Sequence, residues 1–172
     1  MSRCFPSLVF MMIPALFATA AEPGDRLDNG KDLTGWKGKL DGWSIVDGAI
    51  HHDAKAAMET ITHEKTHSAS CVIRLEFRAT EAGDSGIYIH GKQFQIRDYP
   101  KAGPDRYARY AKPAGQWNTL ELDFTGSLAV VRLNGEVIEK SWKIGPDPKV
   151  GLGLQHEKGD FDFRNITVRE KK

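Results

Sequence analysis

In residues 71–78, Cys-Val-Ile-Arg-Leu-Glu-Phe-Arg, apolar and charged side chains alternate from Ile73 to Arg78. Extended chain sends successive side chains to opposite faces, so Ile73, Leu75 and Phe77 point to a core and Arg74, Glu76 and Arg78 point away from it. The period of two returns at 117–124, which buries Leu120, Leu122 and Phe124. It returns again at 149–157, where Val150, Leu152 and Leu154 oppose Gly151, Gly153 and Gln155, and at 161–168. Turn formers punctuate these runs: Asp47-Gly48 separates Trp43–Val46 from Ala49–His52, and Asn134-Gly135 separates Leu128–Leu133 from Val137-Ile138. Both dipeptides suit the positive φ angles of a tight hairpin. Beyond the apolar N-terminal stretch no segment has helical spacing over ten residues or more. Roughly ten strands with regular turn signals predict an all-β chain: a two-sheet antiparallel β-sandwich of jelly-roll type.

The chain opens MSRCFPSLVFMMIPALFATAAEPGD, with one Arg, an apolar run from Phe5 to Phe17 and small residues at Ala18-Thr19-Ala20. This is the pattern of a secretory signal peptide cut after Ala20 or Ala21. The alternative is an uncleaved anchor, but the run is shorter than the ~20 residues that comfortably span a bilayer. The expected division is therefore a signal peptide at 1–21 and one domain at 22–172, in a secreted or periplasmic protein. Losing Arg3 takes the 24 Lys+Arg to 23, against 23 Asp+Glu. A nearly neutral chain argues against nucleic acid, or a membrane surface after cleavage, as partner. Of the two cysteines only Cys71 would survive cleavage, which excludes an intramolecular disulfide.

Within the mature chain, Ser85–Asp98 (SGIYIHGKQFQIRD) reads as two alternating runs joined by His90-Gly91-Lys92. Ile87, Ile89, Phe94 and Ile96 go to the core. Tyr88, His90, Gln93, Gln95 and Arg97 then share the other face, a set that suits a polyhydroxylated ligand. If strand 71–78 pairs beside this one, its charged row extends that face. The following span, 99–115, holds three prolines and two glycines, which exclude a regular element over most of it. Its three tyrosines, Tyr107 among them, could cover a sugar, or pack on the body of the domain. Residues 53–70 carry His63 and His67, which on a helix would share a face and could ligate a metal. No third ligand is obvious nearby, and Thr60-Ile61-Thr62 does not favour a helix.

Taken together, LDNGKDLTGW at 27–36, LEFR at 75–78, SGIYIH at 85–90, FQIRD at 94–98, KPAGQWNTL at 112–120, LNG at 133–135 and GLGLQHE with FRNI between 151 and 166 resemble the 3-keto-disaccharide hydrolase-like domains. The resemblance runs over nearly the whole mature chain. It implies a fold similar to concanavalin A-like lectins and glucanases, and cleavage of glycosides whose sugar carries a ketone at C3. Such a ketone acidifies the C2 proton, so its removal expels the C1 substituent and water can then add. The route needs a base near C2, a donor or metal polarising the ketone oxygen, and an acid for the leaving oxygen.

On this resemblance, His90 and Glu157 are the candidates for proton transfer, with Glu76 as an alternative base or a partner that orients Arg97. Tyr88, Gln93, Gln95, Arg97, Tyr107 and Gln155 are the expected substrate contacts on a concave sheet face. The alternatives are a strand-end imidazole bonded to a loop carbonyl for His90, and a turn carboxylate before Lys158-Gly159 for Glu157. Many members carry Glu where this chain has Gln93, and an amide is neither a general base nor an anionic metal ligand. No cofactor is called for with certainty; a divalent metal held by His90, Glu157 and His156 is one arrangement the resemblance leaves open. The rival to a hydrolase is a non-catalytic carbohydrate-binding module on the same scaffold, and a third reading is a partner-binding module.

Overall fold

Three dipeptides, Asp47-Gly48, His90-Gly91 and Asn134-Gly135, take left-handed backbone, with φ of 50° and 76°, 49° and 79°, and 52° and 92°. Paired positive φ values make the type I′ turn, whose twist matches that of flanking strands. These turns close the hairpins β3–β4 (Trp43–Val46, Ala49–His52), β7–β8 (Asp84–Ile89, Lys92–Arg97) and β10–β11 (Leu128–Leu133, Glu136–Lys143). In this computed structural model residues 24–145, 147 and 149–171 are described. The signal-peptide reading falls on residues outside them. The remaining strands are β1 (Asp25–Arg26), β2 (Trp36–Lys37), β5 (Glu59–His63), β6 (Cys71–Ala79), β9 (Asn118–Thr125), β12 (Gly153–Lys158) and β13 (Phe161–Glu170).

They form two antiparallel sheets. The larger, eight-stranded one runs β11-β10-β9-β6-β13-β4-β3 with β1 paired to β13, and the smaller runs β2-β5-β12-β7-β8. Strand β6 therefore sits at the centre of the larger sheet, between β9 and β13, and not beside β7. Its charged row faces away from the core on the opposite side of the sandwich from the row at 85–98. Alternation reports which residues of a strand share a face; it carries no information on which sheet the strand joins.

The core lies between the sheets. Ile73, Leu75, Phe77, Leu120, Leu122, Phe124, Phe161 and Phe163 meet Ile61, Ile87, Ile89, Phe94, Ile96 and Leu154, each no more than 4% exposed. Strand β13 breaks register at Asn165, with φ of 52°, and the buried Asp28 carboxylate accepts both freed backbone N–H groups, from Asn165 at 3.0 Å and Ile166 at 2.7 Å. The entry loop thus serves the bulge, and its buried Trp36 donates from Nε1 to the Leu27 carbonyl at 3.2 Å. Cys71 is free and buried, and burial pushes its thiol up to about 12.

Residues 53–70 hold no helix. His63 ends β5 with its ring edge-on to Trp36 at 5.1 Å, whereas His67 stacks on His90 at 4.9 Å. A second pair, His52 and His156, stacks at 3.6 Å with both rings buried. His52 donates from Nδ1 to the Asp53 carbonyl at 3.0 Å and His156 from Nε2 to the Gly159 carbonyl at 2.7 Å. The other nitrogen of each ring has no partner among the described residues. Burial, then the adjacent His156, lowers His52 to about 4; burial, then His90, lowers His67 as well.

Because the folded values lie below the unfolded one, the unfolded chain binds the extra protons. The stability from keeping these rings neutral is complete above pH 6.5 and is lost as pH falls toward about 4. Urea unfolding at pH 7.5 and 4.5 is expected to differ by about 2 kcal/mol through His52 alone. A His52→Gln variant should show a pH slope smaller by that amount, and an unchanged slope would contradict the assignment.

Candidate functional site

The register of the smaller sheet lays two polar rows across its outer face. One runs Thr60, Gln155, Gly86, Gln95; the next runs Thr62, Gly153, Tyr88, Gln93. Asp84 and Arg97 form a further pair beyond them. Tyr88, Gln93, Gln95, Arg97 and Gln155, which sequence reasoning grouped from the alternation, thus stand on one surface.

Hydrogen bonds fix this surface before any ligand arrives. Gln93 donates to the Gln155 side-chain oxygen. Gln95 donates to Asp84 and, at 3.0 Å, to the Ser85 carbonyl. Arg97 pairs with Asp84 at 3.1 Å and donates to the Ala102 carbonyl at 3.1 Å. Gly86 is required here: a Cβ would stand 2.7 Å from Gln93 Cγ, because the Gln93 side chain lies across it. Asp84 opens β7 and supplies the carboxylate of this network.

Strand β8 is the last of its sheet. Its hairpin closes on the Ile89–Lys92 pair, so the peptide groups of Gln93, Gln95 and Arg97 face away from β7. The chain leaving β8 folds back along this edge as two single-turn helices, α1 (Tyr99–Ala102) and α2 (Asp105–Ala108), where the prolines and glycines suggested no regular element. Tyr99 anchors the return. It is buried, lies edge-on to Phe77 at 6.5 Å and to Tyr107 at 5.4 Å, and donates its hydroxyl to the Gln95 carbonyl at 2.9 Å.

A cleft of about 340 Å³ results, with Gln93, Gln95 and Arg97 along one side and Tyr107, Glu139 and Trp142 among the residues facing them. Trp142 packs edge-on against Phe94 at 5.4 Å. The Tyr107 hydroxyl donates to Glu139 Oε1, which also takes Arg106 at 2.7 Å. Burial and then the Glu139 bond push the Tyr107 hydroxyl up to about 12 despite Arg106, so it stays a proton donor. Glu139 Oε2 has no hydrogen-bond partner among the described residues. Sequence reasoning missed Glu139 and Trp142 because they arrive on β11, from the edge of the other sheet, and β11 alternates poorly.

The expected proton-transfer residues do not gather in this cleft. His90 does not join Tyr88: it is the first residue of the type I′ turn, where alternation stops, and its buried ring donates from Nε2 to the His67 carbonyl at 3.1 Å. Glu157 is the exposed extra residue of a bulge in β12, just before the turn. Glu76 pairs with Arg164 at 2.7 Å on the outer face of the larger sheet, so it cannot orient Arg97, whose carboxylate partner is Asp84.

A metal held by His90, His156 and Glu157 does not fit either. His156 lies opposite Ser85, and His90 is five residues further along, roughly 16 Å at the rise of a strand. Among the described residues no three His, Cys, Asp or Glu side chains converge as a metal site would need.

A family model described as the 3-keto-alpha-glucoside-1,2-lyase-like domain matches residues 25–169. No curated protein sequence matches the chain significantly. Among solved structures, a candidate glycosyl hydrolase from Parabacteroides distasonis is 20% identical, covers 87% of this chain and 100% of its own, and superposes with a TM-score of 0.70. A carbohydrate binding module from Bacillus subtilis is 11% identical over 80% of this chain and 96% of its own, with a TM-score of 0.62. A beta-glucanase from Bacillus licheniformis is 8% identical over 89% and 100%, at 0.58. At such identities the likeness is one of fold: all share the two-sheet jelly roll.

Proposed function

We propose, since this chain belongs to the 3-keto-alpha-glucoside-1,2-lyase-like domain family, that it is an exported protein that cleaves glycosides bearing a C3 ketone in the cleft along β8. The observation that carries the reading is the cleft itself. A fixed row of amides and a guanidinium faces a carboxylate and a protonated tyrosine across a space of about 340 Å³, within the range of small-ligand sites.

The chemistry divides among these residues. Arg97 and the amides of Gln93 and Gln95 hold sugar hydroxyls and stabilise charge building on the ketone oxygen, with Tyr88 and Gln155 extending the surface. Glu139, through its free oxygen, takes the C2 proton. The C2–H electron pair passes into an enolate, then forms the C1–C2 double bond as the C1–oxygen bond breaks. The leaving oxygen takes a proton from the Tyr107 hydroxyl. Water then adds across C1–C2 by the reverse route: the Tyr107 phenolate takes a proton from the water as its hydroxyl bonds C1, and Glu139 returns its proton to C2, which restores both residues. The amide at 93 leaves that position as a binding group, so basicity has to come from the opposite wall.

The test is direct. Purified mature protein incubated with 3-keto-trehalose or a chromogenic 3-keto-glucoside is expected to release the C1 substituent, and Arg97→Ala should lower kcat/KM at least about tenfold. Saturable binding of these sugars without turnover, with and without added divalent ions, would replace this reading by a binding module. Neither binding nor turnover would point to a protein partner instead.

A further inference from the structure

A second polar cluster stands on the opposite face of the sandwich. In the larger sheet Ser44, His51, Asp162 and Arg78 are directly opposed in register across β3, β4, β13 and β6. They therefore form one row on its outer surface, beside a cleft of about 300 Å³ that His51, Arg78, Asp160 and Asp162 line together with the apolar Val46 and Ala79.

The row is wired in a definite sense. Asp162 Oδ2 accepts from Arg78 Nε at 2.8 Å and pairs with Nη2 at 2.7 Å, while Oδ1 takes His51 Nδ1 at 2.8 Å. A carboxylate only accepts, so Nδ1 carries a proton, and in the neutral ring Nε2 is then the acceptor. No group among the described residues hydrogen-bonds Nε2, and the His51 side chain is 23% exposed. Arg78 is in turn held over the Trp117 ring at 4.8 Å, which also carries Arg164 at 3.8 Å. His51, Asp162 and Arg78 are thus each oriented by a neighbour, which lowers the entropy lost when a ligand binds.

We propose that this cleft is a second saccharide-contact site, in which His51 Nε2 accepts a hydrogen bond from a ligand hydroxyl. Charge and chemistry select the ligand class. Arg78 and Asp162 cancel, and Asp160 adds a negative charge, so an anion is disfavoured and a neutral hydroxyl donor is favoured. Asp160 spends Oδ1 on the Ala54 N–H at 2.7 Å and keeps Oδ2 for a second hydroxyl. Val46, 42% exposed, supplies the apolar contact that the C–H face of a sugar ring needs. This site stands independently of the activity assigned to the β8 cleft, because the two lie on opposite faces of the sandwich.

Backbone amide NMR of the full mature chain titrated with trehalose and with cellobiose tests it. The amides of 46, 51, 79, 80, 115 and 160 are expected to shift together and saturably with at least one of the two. His51→Ala should weaken that binding at least about tenfold, since it removes the acceptor and also frees Asp162 Oδ1 from the partner that orients it. Arg97→Ala, in the other cleft, should leave it unchanged, and the unshifted remainder of each spectrum reports that the variant is folded. Shifts confined to 88, 93, 95, 107 and 155, no shifts at all, or equal binding by His51→Ala would each overturn the proposal.

Discussion

Glu139→Gln is expected to reduce kcat/KM for a chromogenic 3-keto-glucoside by about 10²–10⁴-fold, the usual contribution of a positioned general base. Glutamine keeps an oxygen for the Tyr107 hydroxyl and preserves the shape of the wall, so KM should change little. The loss would then sit in kcat, as expected for an interaction made in the transition state. Stability should hardly move, because the partner Arg106 is 68% exposed and solvent screens such an ion pair. Since Tyr107 is pushed up to about 12, the rate should not fall between pH 8 and 10 through its ionisation. Full turnover by the glutamine variant would place the base elsewhere.

Gly151→Ala is expected to cost at least about 3 kcal/mol, above the usual range for overpacking. A Cβ there would run into the His63 carbonyl oxygen and stand 2.8 Å from that of Lys65. Both obstacles are backbone, and the His63 amide is itself tied to the Leu152 carbonyl at 2.9 Å, so neither can swing aside as a side chain would. Gly145 is the same device at the other end of the connection from β11 to β12, where a Cβ would meet the His90 carbonyl. Urea unfolding of the alanine variant against wild type measures the cost; a midpoint within 0.2 M of wild type, at an ordinary denaturant slope, would contradict it.

Much of the fold was legible because two local signals agreed. Ile73, Leu75 and Phe77 alternate with charges, and Asp47-Gly48 and Asn134-Gly135 turn where the alternation stops. The polar set Tyr88, Gln93, Gln95, Arg97 and Gln155 was legible for the same reason, since a period of two groups residues on one face. His90 was misplaced because the alternation was carried one residue too far, into the His90-Gly91-Lys92 connection that joins the two runs. Glu76 was misplaced, and Glu139 overlooked, for a different cause. Sheet membership and the meeting of two sheet edges are set by contacts distant in sequence: Glu139 reaches Tyr107 from 32 residues away. Alternation cannot carry that.

The floor of the β8 cleft and one of its walls come from consecutive chain, since β8 runs into Asp98 and straight on through α1 and α2, with Tyr99 tying the second part back to the first. Floor and wall are thereby inherited as a single cassette, residues 93–108. Exchanging that cassette between homologous sandwiches would carry over a matched half of the cleft in one step, whereas the carboxylate opposite, on β11, lies outside it. Ligand contacts together with the acid Tyr107 can therefore change apart from the base Glu139, and a lineage could lose the base without disturbing the rest.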